Sequence, residues 1–563
     1  MRYHVLACDY DGTLASDGKV SPETVEALKR VRASGRKLVL VTGRELDQLL
    51  EVFPEIELFE RVVAENGALL YRPATRQEKV LGNAPPREFA EALKSHGIPV
   101  SQGRVIVATW EPHEVATFEV IRDLGLELQV IFNKGAVMVL PSGVNKASGL
   151  AAALDELKLS PHNAVGVGDA ENDHAFLTLC ECSVAVANAL PITKKHADHV
   201  TAGDHGSGVV ELIEALIADD LAPINGSRNQ IPLGQRENGK EAGLPAYGVN
   251  LLITGTSGGG KSTLATGLVE RFAERKYQYC IIDPEGDYSS LELENLVVLG
   301  DNNRPPNPDE VLDLLSEPGQ NAVVNLIGIS IEHRPGFFEK LLRRLQELRD
   351  QTGHPHWLLI DEAHHLLPSA REEDLPSGLQ GLIAITVHPE HVAPKLLKAM
   401  DIVLAIGEAP ENTYRTFTKA IGARAPKFKP RNLSPGDAFV WNRRERGAPY
   451  WVKTTPPKVE RKRHTRKYME GELAPEISFY FTGPDKKLNL RAQNLSIFMQ
   501  LADGLDDETW DYHLQRGDYA KWFREALKDD DLAKEIEGAR DLAPIEARAL
   551  VKDKIRERYT APE

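Results

Sequence analysis

Cysteine is scarce: Cys8, Cys180, Cys182 and Cys280 are the only four in 563 residues. They form neither a C-x-x-C pair nor a zinc-ligand spacing, which argues against a disulfide scaffold or zinc module and predicts a reducing compartment. Long apolar runs are missing as well, so no stretch is expected to cross a bilayer. The opening MRYHVLACDYDGTL has one early arginine and no apolar core of the secretory-signal kind, and the expected localisation is cytoplasmic. Positive charge is in deficit, 67 Lys and Arg against 83 Asp and Glu, a net −16. Phosphate repulsion then opposes a passive coat on nucleic acid. Two local basic runs remain: Arg424, Lys427, Lys429 and Arg431, then Lys458, Arg461, Lys462, Arg463, Arg466 and Lys467. A solvated linker or the rim of a nucleotide site is the favoured reading of such runs. No repeat of the solenoid kind occurs.

What is present is an ordinary globular composition, 42% hydrophobic and 27% charged, in a chain too long for one core. Residues 1–220 alternate apolar runs with helical patterns, which predicts an α/β fold with a parallel sheet covered by helices and ligands beyond the carboxyl ends of its strands. Around residues 85–141 the order becomes helix, strand, helix and two adjacent strands, read as a small α+β cap. Residues 221–247, rich in Gly, Pro, Asn and charge, read as a linker. A second α/β block spans 248–453. Residues 454–563 begin basic and then read as two or three amphipathic helices with Trp510, Tyr512, Tyr519, Trp522 and Phe523 as a small core.

The first constellation starts at HVLACDY, which delivers Asp9 and Asp11 at the end of an apolar strand, two residues apart and so on one side of an extended chain. Paired acids at a sheet edge can hold a hard cation, and one of them can attack phosphorus. Thr42, ending KLVLVTG, offers a hydroxyl to a phosphoryl oxygen. Lys146 supplies positive charge to a transferring group. Asp169, Asn172 and Asp173 in GDAEND offer oxygen ligands for Mg²⁺. His162, His174, His196, His199 and His205 receive no role.

DYDGTL, VTGR, Lys146 and GDAEND resemble the four ordered motifs of haloacid dehalogenase (HAD) superfamily phosphatases, and ENGA (Glu65–Ala68) and ANAL (Ala187–Leu190) resemble the Cof-like, sugar-phosphatase subgroup. The resemblance covers about residues 1–220. It implies a magnesium-dependent phosphomonoesterase with Asp9 as nucleophile and Asp11 as acid and then base. Asp9, the Asp11 carbonyl and Asp169 would hold Mg²⁺, Asp173 would orient that shell, and Thr42 and Lys146 would grip the phosphoryl group.

The second constellation, VNLLITGTSGGGKSTLATGLVERF, fits G-x-x-x-x-G-K-[ST] between a strand and a helix. Backbone N–H groups cradle phosphates, Lys261 reaches the terminal ones and Ser262 ligates Mg²⁺. Gly255, Ser257, Gly258, Gly260, Lys261, Ser262 and Thr263 form the expected ATP cradle. WLLIDEAHHLLP ends a strand in Asp361, for the magnesium shell, and Glu362, to polarise the attacking water. With the acidic turn Asp283, Glu285 and Asp287, and with His388 where an amide is usual, the block is similar to HerA-type and FtsK-type ATPases. That resemblance implies ATP, Mg²⁺ and a ring-shaped homo-oligomer.

The leading expectation is a phosphatase for a small phosphorylated metabolite such as a sugar phosphate, fused to an ATPase domain. The alternative is nucleic-acid end processing or DNA translocation, pairing the phosphatase with a motor or a polynucleotide kinase. Nucleic acid is the less favoured partner, and no membrane partner is expected.

Overall fold

The strand Val5–Asp9 is buried along its whole length, and its alternate residues serve two cores. Leu6 and Cys8 pack with Leu28 and Val31 of helix Pro22–Ala33 and with Val209 and Leu212 of helix His205–Asp219. Val5 and Ala7 pack with Leu150 and Leu154 of helix Lys146–Leu157 and with Phe176. Each such buried aliphatic side chain contributes about 1.5–3 kcal/mol relative to exposure. A strand buried on both faces belongs to the middle of a parallel sheet.

The computed structural model describes the chain apart from residues 134, 225–226, 257–258, 371–377, 430, 446, 459–467, 470–472, 474, 528 and 560–563. In the first sheet, eight strands run in the order His199–Val200, Cys182–Ala185, Ala164–Gly168, Val5–Asp9, Lys37–Val41, Arg61–Ala64, Leu69–Arg72 and Gln77–Val80. The first six are parallel, and the last two join the sheet through antiparallel pairings. Val5–Asp9 lies between Lys37–Val41, the next strand of this sheet along the chain, and Ala164–Gly168, from far later in the chain. That reversal opens a crevice beyond its carboxyl end. Above it, a four-stranded antiparallel sheet, Leu128–Asn133, Ala136–Pro141, Val107–Trp110 and Ser101–Gln102, carries helices Arg87–Ser95 and Glu114–Asp123 on a core of Phe89, Leu93, Val120 and Val139.

The second sheet has eleven strands. Seven are parallel, in the order Ile402–Ile406, Leu251–Gly255, Leu382–Thr386, Trp357–Ile360, Tyr279–Asp283, Asn321–Asn325 and Leu296–Leu299. The other four, Asp437–Asn442, Tyr450–Thr454, Ile231–Arg236 and Glu241–Leu244, extend one edge antiparallel. Residues 231–244, expected within a linker, are therefore a hairpin of this sheet. Ile231, Leu233, Ala242 and Leu244 alternate into its core, a pattern obscured in the sequence by intervening Gly, Pro and charged residues.

Five helices of eight or more residues, among those described, make up the C-terminal module: Leu495–Gly504, Asp507–Arg516, Asp518–Glu525, Asp530–Glu537 and Pro544–Tyr559. This exceeds the two or three expected. Trp510, Tyr519, Trp522 and Phe523 form the core with Phe479, Phe481 and Phe498, while Tyr512 sits at its rim. Arg461, Lys462, Arg463, Arg466 and Lys467 lie outside the described residues. Lys458 is paired with Glu274 at 2.5 Å. No helix among the described residues is long and apolar enough to cross a membrane.

The two large sheets meet through polar side chains at their amino edges. His356, just before Trp357–Ile360, accepts the Gln278 N–H at Nδ1 (2.9 Å) and faces Asn163 Oδ1 through Nε2 (3.1 Å). The Tyr277 hydroxyl donates to Glu181 (2.9 Å), which also binds His162 and Arg2. The His162 and Tyr277 rings stack at 3.7 Å. His162, which receives no role from the sequence, thus belongs to this joint. Burial holds His356 neutral, with its pKa well below the usual histidine value.

Candidate active sites

Asp9 closes strand Val5–Asp9, and Asp169 follows strand Ala164–Gly168. The two strands pair in parallel, so both carboxylates emerge at the same edge. Asp9, Asp169 and Asp173 are buried, with oxygens all within 4.8 Å of one another. Lys146 Nζ donates to Asp9 Oδ1 at 2.6 Å and to Asp173 Oδ1 at 2.5 Å. The other Asp173 oxygen accepts the N–H groups of Asp169 and Ala170, both at 2.9 Å, so Asp173 braces the loop that carries Asp169. Thr13 donates to Asp169 Oδ1 at 3.3 Å. Thr42 follows Val41, the strand partner of Asp9, and its hydroxyl accepts the Arg44 N–H at 3.1 Å.

Local structure puts Lys146 there. Asn145 caps helix Lys146–Leu157 by accepting from Ala147 N and Ser148 N, and Ser148 returns a bond to Asn145 N. Gly67 sits at φ +100°, where an added Cβ would lie 1.9 Å from Asn145 O. Only glycine allows that approach, and it seats the helix start, and with it Lys146, over the crevice.

Burial first, and then the charge of Asp173, push the Asp9 carboxyl upward against the pull of Lys146. Burial also works against the charge of Lys146, but Asp173 and Asp9 outweigh it and raise its pKa. Three carboxylates facing one ammonium leave a negative excess that a divalent cation would neutralise. Asn172 donates through Nδ2 to Asn66 Oδ1, while its own Oδ1 is buried without a hydrogen-bond partner. Hard oxygens from Asp9, Asp169 and Asn172 fit Mg²⁺.

Asp11 follows in the turn that leaves strand Val5–Asp9. Its carboxylate is held by Arg44 through two bonds of 2.6 Å, from Nε and Nη2. Arg44, unassigned from the sequence, was signalled only by its place in VTGR. Glu65 was likewise quoted without a role. Its buried carboxylate accepts the N–H groups of Arg104, Val105 and Ile106 at 2.9, 2.8 and 3.0 Å, tying the cap to the core.

In the second block, Gly255 has φ +149° and an added Cβ would sit 1.9 Å from Ile406 O. Helix Lys261–Glu274 begins directly after Gly260, with Ser262 and Thr263 in its first turn. Ser257 and Gly258 lie outside the described residues. Lys261 Nζ folds back onto the carbonyls of Thr256 (2.9 Å) and Gly255 (3.4 Å). Asp361 follows strand Trp357–Ile360, and its Oδ1 accepts the Glu362 N–H at 3.0 Å. Glu362 has a left-handed backbone, φ +41°, of the kind that costs about 1–3 kcal/mol and gathers at functional sites. Its Oε2 is buried without a hydrogen-bond partner, 3.3 Å from His364 Nδ1. Burial, joined by the charge of Glu285 and opposed by Lys261, pushes the Glu362 carboxyl up to about 6. Asp283 is committed to its own turn, accepting from Gly286, Asp287 and Tyr288.

Residues 6–109 and 116–213 match the family described as haloacid dehalogenase-like hydrolase. A phosphoglycolate phosphatase of Methanothermobacter thermautotrophicus is 32% identical over 217 residues, 37% of this chain and 96% of that protein. The chain belongs to the haloacid dehalogenase-like hydrolases. A second phosphoglycolate phosphatase, from Natronomonas pharaonis, is 31% identical over 225 residues, 37% of this hydrolase and 96% of the relative. A solved haloacid dehalogenase-like hydrolase from Bacteroides thetaiotaomicron is 19% identical with a TM-score of 0.35, covering 38% of this hydrolase and 99% of that chain. Residues 250–326 match a separate family, the central domain of helicase HerA, so the hydrolase carries a HerA-like module after its N-terminal sheet.

Proposed function

We propose that residues 1–220 form a magnesium-dependent phosphatase for a small phosphorylated metabolite, with phosphoglycolate and sugar phosphates the first candidates, and that residues 248–453 form an ATP-hydrolysing domain. The observation that carries the first half is the buried Lys146 bridging Asp9 and Asp173 beside Asp169. The names of the relatives in several archaea support phosphoglycolate. The four buried free cysteines support a reducing cytoplasm.

In this reading Asp9 attacks phosphorus and forms an aspartyl-phosphate, while Asp11, released from Arg44 and protonated when substrate binds, gives its proton to the departing alcohol oxygen. Asp11 then removes a proton from water, whose oxygen displaces Asp9 and releases phosphate. Lys146 neutralises charge on the transferring group, and Thr42 donates to one of its oxygens. A Mg²⁺ ion held by Asp9, the Asp11 carbonyl and Asp169, with the unpartnered Asn172 oxygen as a further candidate ligand, would shield phosphoryl charge from the attacking carboxylate. In the second domain Lys261 would bind the terminal phosphates of ATP, Ser262 and Asp361 would hold the Mg²⁺ that accompanies them, and Glu362 would accept a proton from the attacking water.

The test is phosphate release from phosphoglycolate, sugar phosphates and end-phosphorylated oligonucleotides, with and without Mg²⁺. Asp9→Asn should abolish release from every ester and leave ATP turnover intact. Absence of magnesium-stimulated release from all three substrate classes overturns the phosphatase half. Preference for the oligonucleotides would favour end processing.

A further inference from the structure

The carboxyl edge of the second sheet carries a side-chain cluster that neither proposed reaction uses. Strand Leu382–Thr386 runs into the short turn Pro389–His391, which brings His388, Glu390 and His391 together. One donor atom from each lies within 4.8 Å of the others, and all three are exposed. His388 Nδ1 is 3.2 Å from Glu390 Oε1, and the two imidazoles stack at 5.1 Å. His364 stands 5.6 Å from His388, ring to ring, and His365 stands 4.1 Å from His364. Four imidazoles and a carboxylate therefore share one corner beside Glu362. An isolated surface histidine needs no explanation, but imidazoles converging with a carboxylate form a nitrogen-rich donor set unlike the all-oxygen site of Asp9.

The geometry points to a binding site for a late first-row divalent cation, Zn²⁺ or a neighbour in the series, held by His388, Glu390 and His391 with His364 as fourth ligand. Two histidines and a glutamate suit such ions, whereas Mg²⁺ prefers oxygen. Bound metal inhibits the ATPase, a consequence that rests on the ATPase reading above. His364 Nδ1 now contacts Thr386 Oγ1 at 3.0 Å and Glu362 Oε2 at 3.3 Å. Turning it onto a cation takes it off Thr386 and brings a double positive charge next to the carboxylate that must accept a proton.

The experiment titrates the full chain with Co²⁺ in millimolar Mg²⁺, which keeps the Asp9 site occupied, and reads the visible absorption of nitrogen-ligated cobalt without nucleotide. Wild type should bind one Co²⁺ per chain, and His391→Ala and Glu390→Gln should each weaken it at least about tenfold. No magnesium-resistant cobalt signal in wild type, or unchanged affinity in both variants, overturns the site. In a parallel ATPase assay, Zn²⁺ should inhibit wild type and need at least about tenfold higher concentration in either variant. Equal sensitivity in all three overturns the inhibition. The absorption measurement needs no ATP turnover, so failure of the ATPase reading would leave the metal result legible.

Discussion

Lys146→Met removes the cation that bridges Asp9 and Asp173 while keeping most of the side chain's volume. Lys146 is 2% exposed and contacts both carboxylates within 2.6 Å, so the variant leaves two buried acids facing each other. Removing one partner of a buried ion pair costs about 3–5 kcal/mol. For a cooperative unit of about 150–250 residues each kcal/mol moves Tm by about 2–4 °C, so a drop of about 6–20 °C is expected in a chelator. Because the Asp9 carboxyl is already pushed upward, it can take a proton as the pH falls, and the loss should shrink. Magnesium should restore part of it, about 2.7 kcal/mol at a hundredfold excess over Kd. Phosphatase turnover should fall about 100- to 1000-fold even with magnesium, the usual cost of losing a preorganised charge-stabilising group. The assay is calorimetry of wild type and variant in EDTA and in Mg²⁺, beside phosphate release. A variant within about 2 °C of wild type in EDTA would refute the counter-ion role.

Glu362→Gln should keep ATP binding and lower hydrolysis about 100-fold or more, and unchanged turnover would remove Glu362 from the chemistry. Since burial raises its carboxyl to about 6 and a base must be unprotonated, kcat for ATP should decline as pH falls through about 6; a flat profile down to pH 5 would contradict this. His356 is neutral when folded and titrates near 6.5 when unfolded. Its depressed folded pKa means that stability is lost as the pH falls below about 6.5. Between pH 7.5 and 5 the Tm of wild type should therefore fall further than that of His356→Gln, and equal falls would refute the assignment.

The features readable beforehand were those whose chemistry and geometry are local. Asp9 ends one apolar run and Asp169 follows another, and parallel pairing of two such strands brings their carboxyl ends together. Gly255 and Gly260 likewise announce a tight loop from spacing alone. Arg44 was opaque because its grip on Asp11 depends on how the chain turns after Asp9. The hairpin around Ile231 and Leu244 was hidden by Gly, Pro and charged residues between the inward positions. The joint of His162, Tyr277 and His356 could not be read because its partners are far apart in the chain, 193 residues between Asn163 and His356, and a lone histidine carries no local signal.

That joint sets the direction in which the two chemistries look. Since both sheets abut at the ends where their strands begin, Asp9 and Glu362 crown strands that run away from a shared floor. Each of these carboxylates sits about one strand's length from that floor, on the order of 15 Å for about five residues at about 3.3 Å each. The contacts of His356 with Gln278 and Asn163 are a direct path by which a shift in one sheet would be felt in the other.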